Sequence, residues 1–308
     1  MADKQQQYFN SKFPIICAGM NKVSTVALAL AVKQAGGYPS LVAFNHIPIN
    51  PDTDITTGDY HGLGEAMQEY KNLAGDSDYI LGVSSGLLLH HKDVLDLIYM
   101  YKPAYIELFD QFGFHHDEFF NIIKSFQAVG IKVIAKILYP DKFLKYGMVC
   151  QAVDGVIVKG TKAAGRVSHE EVDLISTVKK LRAYRNDWVI IAQGGIHDSA
   201  GIKELLDAGA NAVSMGTIFA LSQESSVSAV TKQKMLEASY SDTVKIGTAN
   251  QNGLLFTNTE NDVENNTIGL TAGVRTGVAG HVFAGQAIDY ISEIKPVSQI
   301  IAELTVGL

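Results

Sequence analysis

Short runs of apolar residues, many of them β-branched, recur up to residue 215 and alternate with longer amphipathic stretches. The short runs are apolar at consecutive positions, which is typical of strands buried on both faces of a parallel sheet. The pattern predicts strands over residues 13–18, 39–44, 79–84, 104–109, 131–137, 154–158, 187–192 and 211–215. The stretches between them predict helices over 24–35, 62–73, 91–101, 116–129, 140–151, 168–184 and 198–208.

Alternating strand–helix units of this number predict an α/β fold of the (β/α)8 TIM barrel type. A doubly wound open sheet is the alternative, but it needs a G-x-G-x-x-G turn that Gly19-Met20-Asn21 does not provide. We therefore expect a TIM barrel built from residues 13–221 and 291–308. Residues 222–290, inserted after strand eight, are interpreted as a capping segment over the barrel mouth. The polar loop at 45–61 would form a lid on the same face.

Composition and charge limit the classes of function. The 308 residues are 47% apolar and 19% charged, which is typical of a globular enzyme. A net charge of −7 argues against nucleic acid as the main partner. The first residues lack the apolar core of a signal peptide, and no apolar run reaches the roughly 20 residues of a membrane helix. With only Cys17 and Cys150 and no metal-ligand spacing, we expect a cytoplasmic protein without a metal.

Two glycine-containing turns, at the ends of the last two predicted strands, are the strongest indication of a ligand. Strand seven leads into Gln193-Gly194-Gly195-Ile196, and strand eight leads into Met215-Gly216-Thr217. In TIM barrels these two loops commonly form a phosphate site, because glycine lets backbone N–H groups approach the anion. The alternative is that these glycines serve turn geometry alone. The occurrence of both turns in this register favours the phosphate site.

Three segments resemble the nitronate monooxygenase (2-nitropropane dioxygenase) family of FMN flavoproteins, which also includes flavin-dependent enoyl-acyl-carrier-protein reductases. The family's opening is similar to PIICAGMNKVSTVALALAVKQAGG, its phosphate-binding segment to IIAQGGIHDSAGIKELLDAGANAVSMGTIFALSQES, and its terminal region to AGQAIDYISEIKPVSQIIAEL. The resemblance spans about residues 13 to 305. It implies an FMN whose phosphate lies at Gly194, Gly195, Gly216 and Thr217 and whose isoalloxazine lies against Ala18, Gly19 and Met20, with Gln193 nearby. The further candidates for cofactor binding are Ser84, Lys136, Lys159 and Met215.

One stretch departs from the family pattern. After strand six the family usually carries Q/E-G-x-E-A/S-G-G-H, with its histidine at the flavin, where it handles protons. Here the stretch is KGTKAAGR, so Lys159 begins it and Arg166 stands in place of the histidine. Arginine stays protonated and cannot act as a general base, but it can bind an anion through two hydrogen bonds. We expect Arg166 to hold an anionic substrate, and His169 is the candidate for a replacement base, although it is expected to face solvent.

Lys136, near the end of strand five, is a further catalytic candidate. A lysine in a run as apolar as IKVIAKIL either extends to the rim or meets a buried anion. Beside the N1–C2=O edge of a flavin, its charge would stabilise the reduced anionic form. The alternative is a rim lysine paired with a carboxylate. Ser84 would either hydrogen-bond the flavin edge or cap the next turn.

Together these features favour an FMN-dependent oxidoreductase that oxidises a small anionic substrate, such as a nitronate, with O2. A neutral nitroalkane must first lose a proton and is expected to be a poor substrate. One alternative is an NAD(P)H-dependent enoyl thioester reductase, whose protein partner would be an acyl carrier protein. The other is a barrel that binds a phosphate ligand without catalysis. A homodimer is compatible with each of these readings.

Overall fold

The elements of the chain are given by a computed structural model, which describes residues 8–47, 58–109, 117–247, 250–256 and 267–308. The strands are β1 (Ile15–Cys17), β2 (Ser40–Val42), β3 (Ile80–Ser84), β4 (Tyr105–Phe109), β5 (Lys132–Ile137), β6 (Gly155–Lys159), β7 (Gly165–Arg166), β8 (Val189–Gln193), β9 (Ala212–Met215), β10 (Val244–Ile246), β11 (Gln251–Leu255) and β12 (His281–Phe283). The helices are α1 (Val26–Gln34), α2 (His61–Ala74), α3 (Ser85–His90), α4 (Lys92–Tyr101), α5 (Asp117–Ala128), α6 (Pro140–Phe143), α7 (Gly147–Ala152), α8 (Leu174–Tyr184), α9 (Ser199–Asp207), α10 (Thr217–Ala220), α11 (Ala229–Glu237), α12 (Thr267–Thr276) and α13 (Val297–Leu304).

Eight parallel strands form the predicted TIM barrel. They pair in the order β1-β9-β8-β6-β5-β4-β3-β2, and a parallel bridge from Ile16 to Tyr38 joins β1 to the residues that precede β2. The helices that follow the strands cover the outside of this barrel. The fold class predicted from the apolar runs is therefore confirmed.

The amino-terminal end of the barrel is closed by packed aromatic residues. Phe9 lies against Tyr38 and Tyr105, with ring centroids 4.9 and 5.1 Å apart, and all three are buried. Ile16 and Ile191 belong to the same buried cluster inside the barrel. Because this end is filled, the space inside the barrel that can take a ligand lies toward the carboxyl ends of the strands, where TIM-barrel sites lie.

The helix predicted over 168–184 was wrong in its first residue, and a short helix before α4 was not predicted; a capping side chain precedes each of the two helices. The predicted helix over 168–184 begins at Leu174, because Asp173 accepts a hydrogen bond from the backbone N–H of Ser176 at 2.8 Å and ends the preceding loop. The predicted helix over 91–101 is preceded by α3, which the apolar pattern did not indicate. Ser84 caps α3 by accepting from the backbone N–H of Leu87 at 3.4 Å.

After β9 the described residues form a second sheet, and Gln251, Val282 and Phe283 of this sheet line the space at the carboxyl ends of the barrel strands. Strands β10, β11 and β12 form an antiparallel sheet, and β7, from the loop after β6, joins it by pairing Arg166 with Gln251. This sheet and its helices share a second buried apolar cluster that includes Met235 and Val282. The last helix, α13, returns to the barrel and packs against α1 and α9.

The loop that was predicted to form a lid is described only in part. Residues Ala43–His46 of the loop after β2 form a short 3-10 helix, and residues 48–57 lie outside the described residues.

None of the helices in the described ranges combines the length and the apolar character needed to cross a bilayer.

Candidate functional site

A cavity of about 590 Å³ lies at the carboxyl ends of the barrel strands, beneath the cap. Its walls come from the ends of β1, β3 to β6, β8 and β9, from the loop that carries Arg166, and from cap residues such as Phe283. Every cofactor-binding residue named from the sequence lines this cavity: Ala18, Gly19, Met20, Ser84, Lys136, Lys159, Gln193, Gly194, Gly195, Met215, Gly216 and Thr217. Arg166 lines it as well. Side chains from distant parts of the sequence are thus brought to one space.

His169 does not line the cavity. It is exposed, and its backbone N–H donates to the hydroxyl of Tyr139 at 3.3 Å. The loop that holds it turns away after Val167, whose N–H donates to the backbone oxygen of Asn250 in the cap. The geometry therefore gives no support to His169 as the replacement base.

Lys136 meets a buried carboxylate that the sequence analysis did not single out. Its Nζ donates to Oε1 of Glu107 at 2.6 Å, and both side chains are buried. Glu107 lies in β4, and added Cβ atoms on Gly19 and Gly82 would lie 4.0 and 3.8 Å from its oxygens. The sequence could have indicated Glu107, because it is the single carboxylate in the apolar strand YIELF, just as Lys136 stands in the apolar run IKVIAKIL.

Lys159, at the end of β6, is buried with 7% of its surface exposed. Within the described part of the chain, no carboxylate lies within 4 Å of its amine and no hydrogen bond to it is found. Burial lowers the pKa of Lys159 well below its ordinary value, and the charges of Lys136 and Arg166 lower it further, while Glu107 opposes them. A protonated amine is thus disfavoured at this position.

Arg166 presents the second cation of the cavity wall. It lies in β7, paired with Gln251 of the cap, and its guanidinium carbon is 5.1 Å from the ring centroid of Phe109. Burial lowers the pKa of Arg166, but a guanidinium still remains charged near neutral pH. Among the described residues it has no salt-bridge partner, so its charge is available to an anion in the cavity.

The glycine turns after β8 and β9 differ in why they need glycine. Gly194 and Gly195 have φ of 125° and 72°, a region that disfavours other residues. Gly216 has an ordinary φ of −110°, and an added Cβ would lie 3.6 Å from Sδ of Met20 and 3.7 Å from Cβ of Ala18. Neither backbone strain nor a protein clash explains glycine at 216. Close approach of a ligand group, such as the phosphate expected from the sequence, would explain it.

Two buried amides point to a polar ligand in the same cavity. Gln193 and Gln251 are 8% and 5% exposed and both line the space. Within the described residues, Oε1 of Gln193 and Nε2 of Gln251 have no hydrogen-bond partner. Since leaving such a group unpaired costs about 1–3 kcal/mol, a ligand with complementary polar edges fits here. Gln251 was missed because it lies in a Gly/Asn/Thr-rich stretch without periodicity.

Hydrogen bonds fix the cap against the loop that carries Arg166. The side chain of Asn252 donates to the backbone oxygens of Thr161 and Ala163, at 3.1 and 2.7 Å. The backbone N–H of Gly285 donates to Oγ1 of Thr217 at 3.1 Å, which links the cap to the turn after β9. The cap, the loop that carries Arg166 and the turn after β9 are therefore joined to one another around the cavity.

The family model described as nitronate monooxygenase matches residues 111–307. A nitronate monooxygenase of Pseudomonas aeruginosa is 27% identical over 266 residues, which is 76% of this chain and 74% of the relative. The structure of FabK from Thermotoga maritima is similar, with a TM-score of 0.78 and 26% identity over 97% of this chain and 93% of that one. A nitroalkane oxidase from Streptomyces ansochromogenes shares the fold, with a TM-score of 0.76 and 20% identity over 98% and 97% of the two chains.

Proposed function

The chain belongs to the nitronate monooxygenase family, and we propose that it is an FMN-dependent oxidoreductase that oxidises a small organic anion, such as a nitronate, with O2. The observation that carries the choice of substrate is Arg166, a cation on the cavity wall without a carboxylate partner among the described residues. A guanidinium binds a planar carboxylate or nitronate through two parallel hydrogen bonds. The cap above it limits the substrate to a small molecule.

The residues present fit FMN on two observations. The space beside Gly216 suits the phosphate, with backbone N–H groups of the first turn of α10 that have no partner within the helix. The unpaired amide of Gln193 suits the polar edge of an isoalloxazine ring. Bound FMN would supply the redox chemistry that the side chains of this chain lack.

The chain's own residues would then divide the remaining work. Arg166 would orient the anion, and the ion pair of Lys136 and Glu107 would present a fixed dipole to the bound cofactor without leaving a net charge buried. Phe109, which lies under the guanidinium, would hold its plane. A preformed nitronate needs no proton removed, so this arrangement suffices without a histidine base.

The second candidate is an NAD(P)H-dependent reductase of an enoyl thioester. The likeness to FabK over 97% of the chain supports keeping it. Arg166 would then meet a phosphate of the dinucleotide, and the exposed Lys162 on the same loop would meet an acidic carrier protein. A barrel that binds a phosphate ligand without catalysis is the remaining outcome.

One experiment separates these functions. The purified protein is scanned for a flavin spectrum, and the released cofactor is identified as FMN or FAD by chromatography. The bound flavin is then mixed, without oxygen, with NADPH or with a nitronate. We expect bleaching by the nitronate and not by NADPH; the opposite pattern would establish the reductase. Bleaching by neither reagent would leave a binding protein.

A further inference from the structure

Lys159 was named as a cofactor-binding residue, but the proposed function gives its amine no chemical role. Its Nζ lies 3.8 Å from the position that a Cβ on Gly165 would take, directly before Arg166 in the chain. The ring of Phe283 in the cap borders the same position, at 3.6 Å. The amine and the guanidinium of Arg166 therefore face the cavity from adjoining parts of one wall.

The charges around this amine disfavour its protonated form. The nearest carboxylate among the described residues is Glu107 on β4, and Lys136 on β5 already occupies it at 2.6 Å. The cation on β7, Arg166, adds repulsion. The neighbouring strand β8 contributes only the neutral Gln193, opposite Lys159 in register. A buried ammonium without a partner is costly, whereas a neutral amine is not.

A neutral amine in a ligand cavity has different chemistry from an ammonium. Its nitrogen lone pair is free to attack a carbonyl carbon, and both conditions that activate lysines in this way, desolvation and a neighbouring cation, are met at Lys159. If the protein needed only a second positive charge here, a lysine with an exposed amine would serve better.

We propose that Lys159 is a covalent binding site for small oxo acids, whose carboxylate is held by Arg166 while the amine condenses with their carbonyl group. The lone pair of Nζ forms the C–N bond, and the two protons of the amine pass in turn to the carbonyl oxygen. Loss of that oxygen as water leaves the imine. No oxidant or reductant is consumed, so this activity is separate from the flavin chemistry proposed above.

Reductive trapping at residue resolution tests the site. The protein as purified is treated at pH 7 with glyoxylate and cyanoborohydride, and carboxymethylated lysines are mapped and timed by mass spectrometry of peptides. We expect Lys159 to be labelled about tenfold faster or more than the exposed Lys162, since burial disfavours the protonated, unreactive form of the Lys159 amine. Labelling of Lys159 at or below the rate of Lys162 would overturn the proposal.

Variants test the role of Arg166 and separate it from simple reactivity. Propanal, which lacks a carboxylate, is used beside glyoxylate, and the ratio of the two labelling rates at Lys159 is measured. Arg166→Ala is expected to abolish the preference for glyoxylate, whereas the control Lys162→Ala is expected to keep it. An unchanged ratio in Arg166→Ala would refute the carboxylate contact. Because the readout is a covalent adduct, it does not require that a nitronate be oxidised.

Discussion

Replacing Gly216 with alanine tests the phosphate site without disturbing the fold. The new methyl group would lie 3.6 Å from Met20 and 3.7 Å from Ala18, which are ordinary van der Waals distances, and φ at this position is −110°. Since alanine adopts this conformation freely, the free energy of unfolding without ligand should stay the same or rise by about 0.4–1 kcal/mol. The methyl group would, however, occupy the space that we assign to the phosphate.

The expected loss of FMN affinity follows from the hydrogen bonds that the phosphate would lose. A hydrogen bond to a charged group contributes about 1.5–3 kcal/mol, which corresponds to a roughly ten- to hundredfold higher Kd. Gly216→Val carries two more methyl groups and should abolish flavin retention. The assays are flavin content after purification, Kd by fluorescence titration, and thermal unfolding of the flavin-free protein.

Gly195→Ala provides the contrast. Its φ of 72° belongs to the left-handed region, so alanine there should destabilise the flavin-free protein itself, by about 1–3 kcal/mol. Gly216→Ala should affect only the flavin, whereas Gly195→Ala should affect both. A Gly216→Val protein that keeps its full flavin content would refute the site assignment.

Three further predictions concern the charged side chains. Arg166→Ala should raise the KM for a nitronate about ten- to hundredfold by removing a charge-assisted hydrogen bond, and the control Lys162→Ala should leave this KM unchanged. Arg166→His should improve turnover of a neutral nitroalkane. Steady-state kinetics on both substrates measure these effects, and an unchanged KM in Arg166→Ala or an unchanged turnover in Arg166→His would contradict the corresponding prediction. Glu107→Gln should destabilise the fold by about 3–5 kcal/mol, because it leaves the charge of Lys136 buried without its partner; denaturant unfolding measures this, and a loss below about 1 kcal/mol would contradict the buried pair. The pKa of Lys159 is lower in the folded than in the unfolded state, so the unfolded state binds more protons between these two values and the free energy of unfolding should rise with pH across that range. Lys159→Met should remove this rise, and an identical pH dependence in the variant would count against the neutral amine.

The sequence determined the barrel because a strand that is buried on both faces is apolar at consecutive positions, and each strand shows this pattern by itself. The run at 131–137 is apolar at nearly every position, and β5 occupies Lys132–Ile137. The two glycine turns were likewise readable, since the register of strands and helices puts the carboxyl ends of all parallel strands on one face. Lys136 was named from the apolar run around it and Arg166 from its position in the family motif, in both cases without knowledge of their partners.

Pairings between distant segments could not be read from the sequence. Glu107 and Lys136 are 29 residues apart, and only the register of β4 beside β5 makes their buried contact visible. The bounds of α8 depended on a cap at Asp173, a local hydrogen bond that competes with the helical pattern. Such contacts depend on geometry that apolar periodicity does not encode.

The cap shows most clearly what the tertiary structure decided. In the sequence, residues 160–166 are distinguished only by their departure from a family motif. In the folded chain they include β7, which pairs with β11 and carries Arg166 to the cavity wall. Gln251 joins the site through the same pairing, although its surroundings in the sequence are a polar stretch without period. The apolar pattern along the chain therefore determined where the strands run and where they end. The electrostatics of the cavity, with one carboxylate occupied and one amine left without a partner among the described residues, arise only when the strands and the cap come together, because charges interact through distance in space and not along the chain.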